Sequence, residues 1–382
     1  MTRLSFQFDA DHPERPVQFQ WKQSSGFRQI NHSRIMTGRE LTMAAIKGIP
    51  HARVPVAQHN FTFCARLAGV TMEQYRRDPK LAARVLADAS YQFGYDCIII
   101  DFDTCSLAEA MGASLSFPVD APAHVSMPPL QSLSQIRDLP IPDPHRDGRL
   151  PLWLETTREL RKIVGNDKAI MARADQGPFG LLFQLRGHEN LMMDVMDCSV
   201  EEMEAALEIC AQVGSGFARA QMEAGADLTS IGDSASGESL ISPAHYHLYG
   251  GPFQKRYKEL LGDDCLSLHI CGKTNNIIEG MVQSGCEVLE LDHWNDLERS
   301  LAVIDHRSCV FGNLDPSSVL SQGTKQRVLD ASREVLEHAK AKTWKFVLCP
   351  GCLANADVPP DNIHAMTEAA SCWGQYDKPP IG

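Results

Sequence analysis

The sequence predicts a protein of the α/β class: a single (β/α)8 TIM barrel with an N-terminal extension and an excursion after the second strand. Eight short apolar runs alternate with helical segments along the 382 residues, a rhythm that is typical of parallel strands joined by helices. No glycine-rich dinucleotide turn follows the first run, which argues against a doubly wound nucleotide-binding sheet. Polar side chains follow one run after another, as expected where active sites form at the C-terminal ends of barrel strands.

The predicted strands are short and rich in β-branched and other apolar residues. In chain order they span residues 53–57, 97–101, 168–172, 227–231, 265–269, 287–291, 309–313 and 345–349. Helical spacing predicts helices between them, among them residues 37–48, 79–94, 199–224 and 323–341. The first of these helices begins with a threonine and ends with a glycine, which are favoured capping residues.

Two segments fall outside this rhythm. Residues 1–36 are polar and irregular, and they are predicted to form an arm or cap ahead of the barrel domain, residues 37–382. Residues 118–151 are rich in proline and are too polar and too broken for a strand or a helix. They are predicted to form the excursion over the barrel.

Composition and charge exclude several functional classes. The formal net charge of -12 argues against a nucleic-acid-binding protein, because no basic stripe is present to neutralise phosphates. No run of about 18 apolar residues predicts a membrane span, and residues 1–16 lack the apolar core and cleavage site of a signal peptide. The 12 cysteines do not follow the spacing of a disulfide framework. We therefore expect a cytoplasmic protein with free thiols and no nucleic-acid or membrane partner.

Two pairs of soft metal-ligating residues stand at the ends of apolar runs. His269 and Cys271 lie in LSLHICG, and Cys349 and Cys352 lie in FVLCPGCLAN. In an extended segment, residues i and i+2 point to the same side, so the first pair can hold one ion. Imidazole and thiolate ligands favour Zn²⁺. These residues predict a zinc centre just beyond the strand ends.

The third zinc ligand is predicted to be Cys352. Cys349 continues a strand and is the weaker candidate, whereas Cys352 follows Pro350 and Gly351 in a loop. Three protein ligands with one open position are typical of catalytic zinc. If Cys349 is a fourth ligand, the site is closed, and the alternative is a non-catalytic zinc-stabilised binding protein.

Polar residues at other strand ends are candidates for the same region. Asp292 ends the predicted strand after the one that carries the HxC pair. It is predicted to be an exchangeable fourth zinc ligand. The alternative is that it caps a helix or accepts a hydrogen bond from a residue that binds the zinc. Asp175 and Asp233 follow two further strands and are candidates for substrate binding, with helix capping as the alternative. Asn313 and Asp315 complete this set.

Sequence blocks between residues 37 and 370 resemble the uroporphyrinogen decarboxylase superfamily, and within it the zinc-dependent corrinoid methyltransferase branch. The blocks are MTGRELTMAAIKGIPHARVPV, FDTCSLAEAMGA, DQGPFGLLFQLRGHE, GDSASGESLISPAHY, HICGKTNNIIEGMVQSG, GNLDPSSVLSQG and CPGCLANADVPPDNI. An HxC followed by PGC is the zinc signature of that branch, which is typified by methylcobamide:coenzyme M methyltransferases. The decarboxylase branch instead carries an RQAGRY-like segment and a GHG in place of PGC, and this sequence has neither.

The resemblance implies Zn²⁺ on His269, Cys271 and Cys352, and it places Glu109 near the site as a substrate or corrinoid contact. It implies transfer of a methyl group between a methylated corrinoid (cobalamin) and a small acceptor such as a thiol or tetrahydrofolate. No DxHxxG cobalamin-binding motif occurs in the chain. The corrinoid is therefore expected on a separate corrinoid protein.

Further alternatives stay open at this point. The same scaffold serves as a first methyltransferase, which delivers a methyl group from a methoxylated or methylated substrate to a Co(I) corrinoid. A decarboxylase similar to uroporphyrinogen decarboxylase is another alternative, because the fold is shared. Barrels of this family often form homodimers, although no exposed apolar stripe in the sequence demands one.

Overall fold

A parallel eight-stranded barrel forms the centre of the molecule. The computed structural model describes residues 36–380. Its strands are β1 (Ala57–Gln58), β2 (Cys97–Ile100), β3 (Ser114–Ser116), β4 (His124–Met127), β5 (Ala169–Gln176), β6 (Leu228–Gly232), β7 (Leu266–Ile270), β8 (Val288–Leu291), β9 (Cys309–Leu314) and β10 (Phe346–Pro350). The sheet order is β1-β2-β5-β6-β7-β8-β9-β10, with each neighbouring pair parallel. A parallel bridge between Val56 and Leu348 closes the sheet into a barrel.

Helices follow the strands and cover the outside of the barrel. They are α1 (Gly38–Lys47), α2 (Phe61–Leu67), α3 (Met72–Arg77), α4 (Pro79–Phe93), α5 (Ser106–Ala110), α6 (Leu150–Val164), α7 (Pro178–Arg186), α8 (His188–Asp197), α9 (Val200–Glu223), α10 (Pro243–His245), α11 (Gly251–Leu261), α12 (Ile278–Gln283), α13 (Leu297–Ile304), α14 (Lys325–Lys342) and α15 (Pro360–Trp373). Thr37 and Glu40 form a capping box at the start of α1, and Gly48 ends it with φ of 68°. The predicted first helix is thus confirmed together with its caps.

The interior of the barrel is apolar at one end and polar at the other. A cluster of inward-facing side chains fills the N-terminal half of the interior, and Ala45 and Ile46 of α1 belong to the same cluster. Inward-facing positions alternate along each strand, so Val288 of β8 is followed on the same face by Glu290 and then by Asp292. The chain therefore closes the barrel with an apolar plug below and directs its polar residues to the C-terminal end, which we call the mouth.

The predicted barrel is confirmed, and the structure corrects two details of it. The first strand was expected at residues 53–57 but lies at Ala57–Gln58. Arg53 and Val54 pair with the C-terminal segment instead: Arg53 forms an antiparallel bridge with Gln375, and the amide of Val54 donates to the backbone oxygen of Gly374 at 2.9 Å. The expectation that residues 118–151 hold no strand or helix is wrong. His124–Met127 pairs with Ser114–Ser116 in an antiparallel hairpin, and a 3-10 helix follows at Leu133–Asp138. This hairpin is mostly exposed, so it does not need the apolar pattern of a barrel strand.

The predicted N-terminal arm, residues 1–36, lies outside the described residues except for Met36. Within residues 36–380, the helices are either too short or too polar to cross a lipid bilayer.

Candidate metal centre at the mouth of the barrel

Three soft ligand atoms converge where β7 and β10 end. Nε2 of His269 lies 2.8 Å from Sγ of Cys271, and Sγ of Cys271 lies 3.4 Å from Sγ of Cys352. All three ligand atoms lie within 4.8 Å of one another. His269 is the penultimate residue of β7, and Cys271 is two residues further on the same side, as the alternation of an extended chain requires. Residues 81 positions apart in sequence thus form one donor set.

The backbone around the cluster fixes the direction of each ligand. Nδ1 of His269 lies 3.3 Å from the backbone oxygen of Glu290, so a proton on Nδ1 leaves Nε2 with a free lone pair directed at the two thiols. The amide nitrogen of Cys271 donates to Oγ of Ser234 at 3.1 Å. A Cβ on Gly351 would lie 2.7 Å from the backbone nitrogen of His293. Only glycine therefore lets the Cys352 loop approach this closely.

The close contacts shift the acidity of the three groups in different directions. The hydrogen bond with Cys352 lowers the pKa of Cys271, and the same bond, together with burial, raises the pKa of Cys352. Burial alone would lower the pKa of His269, but the hydrogen bond and charge of Cys352 outweigh it and raise the pKa. Cys271 is therefore the first of the two thiols to ionise, and its thiolate faces an imidazole that can carry a proton.

Cys349 lies outside this donor set. Its side chain is buried in the apolar cluster inside the barrel, among the residues that include Phe311 and Val347. Burial raises the pKa of Cys349 well above its usual value, so the thiol form is favoured. The structure thus separates the two cysteines of the CPGC segment into a core residue and a member of the cluster.

Asp292 lies beside the cluster but is not among the three grouped ligands. Its Oδ2 accepts a hydrogen bond from the amide of Gly272 at 2.7 Å. Its Oδ1 lies 2.6 Å from Nδ1 of His293. One oxygen therefore holds the backbone next to Cys271, which is the alternative role considered for this residue.

Glu109 lies in α5, which follows β2, and Asp175 lies near the end of β5. Oε2 of Glu109 accepts from Nε of Arg149 at 2.6 Å, and the same guanidinium binds Asp103. Asp175 is fully buried, and its Oδ2 accepts from the amide of Leu107 at 2.6 Å. Burial and the charge of Asp103 raise the pKa of Asp175 well above its usual value. Its Oδ1 has no hydrogen-bond partner among the described residues.

Asp233 lies beneath α7 and has both carboxylate oxygens engaged. Oδ1 accepts from the amide of Gly180 at 2.6 Å, and Oδ2 accepts from Nε2 of Gln254 at 2.7 Å. Burial raises the pKa of Asp233 to about 6, in spite of these hydrogen bonds. The contact with Gly180 supplies an acceptor to the first turn of α7, whereas the Asp233 side chain makes no capping hydrogen bond to the turn that follows it.

Asn313 lies in β9, and Asp315 directly follows that strand. Nδ2 of Asn313 donates to the backbone oxygen of Asn295 at 3.1 Å. Oδ1 of Asp315 accepts from the amides of Ser317 and Ser318 at 2.8 and 2.9 Å, so it caps the short helical segment Pro316–Ser321. Oδ2 of Asp315 also lies 3.5 Å from Nε2 of His293, which connects this loop to the one that carries Asp292.

A buried ionic network inside the mouth was not identified from the sequence. Nη2 of Arg173 lies 3.0 Å from Oε2 of Glu290, and its Nε lies 3.3 Å from Oδ2 of Asp101. The same Oδ2 lies 2.8 Å from Nε2 of His59. The hydroxyls of Ser230 and Ser267 donate to Glu290. One signal in the sequence could have revealed this network. Glu290 in EVLEL is a charged residue at an inward position of an otherwise apolar strand.

The pH dependence of stability should report on Glu290. Burial by itself raises its pKa, but the charge of Arg173 outweighs it and lowers the pKa to about 2. The ionised carboxylate therefore stabilises the fold above its unfolded-state pKa of about 4.3, and this contribution is lost as the pH falls toward 2. We expect the difference in unfolding free energy between wild type and Glu290→Gln to shrink over that range, as measured by urea unfolding at a series of pH values.

The exposed Glu298 offers a control, because its ion pair with Nζ of Lys342 is long, at 4.0 Å, and both side chains are exposed. Glu298→Gln should leave the unfolding free energy unchanged at every pH. A difference between wild type and Glu290→Gln that stays constant from pH 4.5 to 2 would contradict the lowered pKa.

Comparison with known proteins supports a relationship along nearly the whole described chain. The family profile described as uroporphyrinogen decarboxylase (URO-D) matches residues 37–373. The methylcobamide:CoM methyltransferase MtbA of Methanosarcina acetivorans is 28% identical over 295 residues, which are 75% of this chain and 82% of that protein. The uroporphyrinogen decarboxylase of Syntrophotalea carbinolica is 28% identical over 351 residues, which are 85% of this chain and 97% of that protein.

A solved structure shares the architecture. The structure described as a methyltransferase from Methanosarcina mazei superposes with a TM-score of 0.80 at 25% identity, covering 88% of this chain and 98% of that one. Relatives with two different activities in their names are therefore equally similar in sequence. The residues at the mouth, rather than overall identity, have to discriminate between the two reactions.

Proposed function

This chain belongs to the uroporphyrinogen decarboxylase family, and we propose that it is a zinc-dependent methyltransferase. In this proposal it moves a methyl group between a corrinoid, carried by a separate corrinoid protein, and a small acceptor such as a thiol or tetrahydrofolate. The convergence of His269, Cys271 and Cys352 at the mouth carries the proposal. The methylcobamide:CoM methyltransferase names of relatives at 25–28% identity support the same reaction class.

The donor set fits a catalytic zinc ion. One imidazole and two thiols are soft ligands that Zn²⁺ prefers, and their ligand atoms lie within 4.8 Å of one another. Cys349 is buried in the core and leaves the set at three, which keeps a fourth position for substrate. When bound, zinc lowers the pKa of a substrate thiol, so that the thiol is ionised near neutral pH and stays nucleophilic.

The chain's own residues position the reactants. The backbone oxygen of Glu290 orients His269, and Asp292 holds the amide of Gly272 beside Cys271. Methyl transfer needs the acceptor sulfur and the methyl carbon on one axis. The sulfur–carbon bond forms as the cobalt–carbon bond breaks, and both electrons of the broken bond remain on cobalt, which becomes Co(I). The thiol proton leaves to solvent before this step.

The decarboxylase activity is the rival within the family, because a relative of that name is also 28% identical. A cluster of one imidazole and two thiols is not needed to decarboxylate a porphyrinogen, whereas it is the donor set that activates a thiol. Transfer in the opposite direction, from a methoxylated or methylated substrate to Co(I), would use the same donor set. The experiment below distinguishes the two directions.

The test combines metal analysis with a methyl-transfer assay on the purified full chain. We expect about one zinc ion per chain, and conversion of free methylcobalamin to its demethylated form that depends on an acceptor. The acceptor panel contains 2-mercaptoethanesulfonate, other small thiols and tetrahydrofolate, and the corrinoid spectrum gives the rate. If the protein binds zinc but does not demethylate methylcobalamin, and if methoxylated donors instead methylate Co(I), the direction of transfer is the opposite of the one proposed. Absence of zinc together with consumption of uroporphyrinogen would replace the proposal with decarboxylation.

The role of Asp292 can be separated from that of the three ligands. Asp292→Ala should retain zinc, because the donor set does not include this residue. If Asp292 occupies the fourth position in the resting enzyme, X-ray absorption of the zinc-loaded variant should lose an oxygen scatterer. Asp296→Ala in the same loop is the control, because Asp296 caps α13 at the amide of Arg299 instead. An unchanged coordination shell in Asp292→Ala would limit Asp292 to holding Gly272.

A further inference from the structure

An exposed tryptophan stands at the mouth, in the loop that follows Asp292. Trp294 lies between β8 and α13, and 58% of its surface is exposed. Single exposed apolar residues are common and need no explanation by themselves. Two features distinguish Trp294. The backbone next to it is held by hydrogen bonds, and the loops on either side carry Cys271 and Cys352.

Asn295, directly after Trp294, is held firmly by side-chain hydrogen bonds. The Asn295 side chain is buried; its Oδ1 accepts from the amide and the hydroxyl of Thr274 at 2.7 and 3.0 Å. Its Nδ2 donates to the backbone oxygens of Gly272 and Asp292 at 3.0 and 3.1 Å. On the other side, the ring of His293 lies between carboxylate oxygens of Asp292 and Asp315, at 2.6 and 3.5 Å. The indole is therefore presented by a fixed backbone rather than by a mobile loop.

The same loop contacts both segments that carry the thiols of the cluster. Asp292 and Asn295 bind the backbone of Gly272, directly after Cys271. Gly351, directly before Cys352, approaches the loop so closely that a Cβ would lie 2.7 Å from the nitrogen of His293 and 3.0 Å from Cα of Asp292. Trp294 is thus fixed in position relative to the cluster through hydrogen bonds and backbone packing on two sides.

A cation accompanies the indole. Nζ of Lys273 lies 5.9 Å from the ring centroid of Trp294, and the ring of His293 lies 5.0 Å from it at an angle of 38°. Lys273 follows Gly272 and is itself exposed. The two loops that leave the cluster therefore carry an aromatic face and an ammonium group side by side, an arrangement suited to a flat ligand with polar groups on its edge.

We propose that Trp294, assisted by Lys273, is a binding residue for the macrocycle of the corrinoid substrate at the mouth of the barrel. This inference rests on the proposed function and deepens it by assigning the residue that contacts the corrinoid. Methyl transfer requires the flat corrin to lie over the cluster, since its axial methyl group must point at the acceptor. In this proposal the edge of the macrocycle meets the rim. There an indole supplies apolar contact, and an ammonium group can donate to the amide side chains on the corrin edge.

A small thiol acceptor should not depend on Trp294. Its sulfur has to reach the donor set formed by His269, Cys271 and Cys352, which lies inside the rim. A rim residue that binds the corrinoid should therefore affect the KM for methylcobalamin and leave the KM for the acceptor unchanged. This split distinguishes a corrinoid contact from a structural role, which would alter both values or the zinc content.

The experiment measures equilibrium binding and kinetics on the zinc-loaded full chain, with free methylcobalamin as the probe. For Trp294→Ala we expect about a tenfold weaker binding of methylcobalamin in equilibrium dialysis, the loss that corresponds to a single well-placed aromatic contact. The KM for methylcobalamin should rise by a similar factor, while zinc content and the KM for the thiol remain at wild-type values. Trp294→Phe should recover part of the binding.

Tyr91 offers a matched control at the opposite end of the barrel. It is 48% exposed, and Nζ of Lys168, directly before β5, lies 5.2 Å from its ring centroid. Tyr91→Ala removes a comparable lysine–aromatic pair and should bind methylcobalamin like wild type. Wild-type turnover combined with an unchanged KM for methylcobalamin in Trp294→Ala would overturn the inference and leave the proposed function standing. A rise in the KM for the acceptor instead would also overturn it. A wild-type protein that neither binds nor demethylates methylcobalamin would overturn both.

Discussion

Replacing Cys352 with alanine should empty the metal site. Cys352 supplies one of the three grouped ligand atoms, and its sulfur lies 3.4 Å from that of Cys271. Mutation of a residue that only supports a zinc ligand lowers the affinity for zinc by about 10–100-fold. Removal of a ligand itself should lower the affinity by more than that. We expect zinc content after dialysis against a weak chelator to fall from about one ion per chain to nearly none, with loss of acceptor-dependent methyl transfer.

Cys349→Ala is the matched control, because it removes a thiol only three positions away. Cys349 is buried in the apolar interior of the barrel, so this variant should keep its zinc. It should lose only about 1 kcal/mol of unfolding free energy, as expected when one buried atom is removed from a packed core. If Cys349→Ala also empties the site, the site has four protein ligands, and a non-catalytic zinc-stabilised protein becomes the better conclusion.

Replacing Arg173 with methionine should cause the largest loss of stability among single changes at the mouth. The guanidinium is 3% exposed and is shared between Glu290 and Asp101. Its removal leaves two buried carboxylates without a cation, a situation that costs about 3–5 kcal/mol. We expect a loss of this size in urea unfolding at neutral pH. The loss should become smaller as the pH falls toward 5, because Arg173 is what lowers the pKa of Glu290, and without it that carboxylate can take up a proton.

An exposed arginine tests whether burial is the cause. Arg256 contacts Glu208 at 3.0 Å, but its side chain is 41% exposed. Arg256→Met removes an arginine–carboxylate pair of similar length and should cost about 1 kcal/mol or less. Equal losses of unfolding free energy for Arg173→Met and Arg256→Met would contradict this explanation. They would show that burial does not make the ion pairs of Arg173 more stabilising than an exposed pair.

Much of the architecture was predictable because the local patterns agree with the global fold. Apolar runs marked the barrel strands within a few residues, and the Thr37 and Gly48 caps marked the first helix. The first strand was placed too early because Arg53 and Val54 pair with Gln375 and Gly374, a contact far away in the chain. The exposed hairpin of Ser114–Ser116 and His124–Met127 escaped prediction because it buries little and needs no apolar alternation.

The candidate site was predictable in its chemistry and less so in its geometry. The HxC and CPGC segments identified the soft ligands, since residue type and i, i+2 spacing follow from the sequence alone. The ionic pairing of Arg173 with Glu290 and Asp101 was not predicted, because these residues come from strands far apart in the chain. Only the closed barrel brings these inward positions together.

The sequence by itself determined the approximate positions of the barrel strands, the capped first helix, and the residue types suited to a zinc site, because each depends on neighbours within a few positions. The tertiary structure decided which cysteine of CPGC reaches the cluster, since Cys349 faces the apolar interior and Cys352 lies in the loop beyond Gly351. It also decided that Asp233 is fully engaged beneath α7. Curvature of the sheet into a barrel sets these distances, and curvature is a property of all eight strands together.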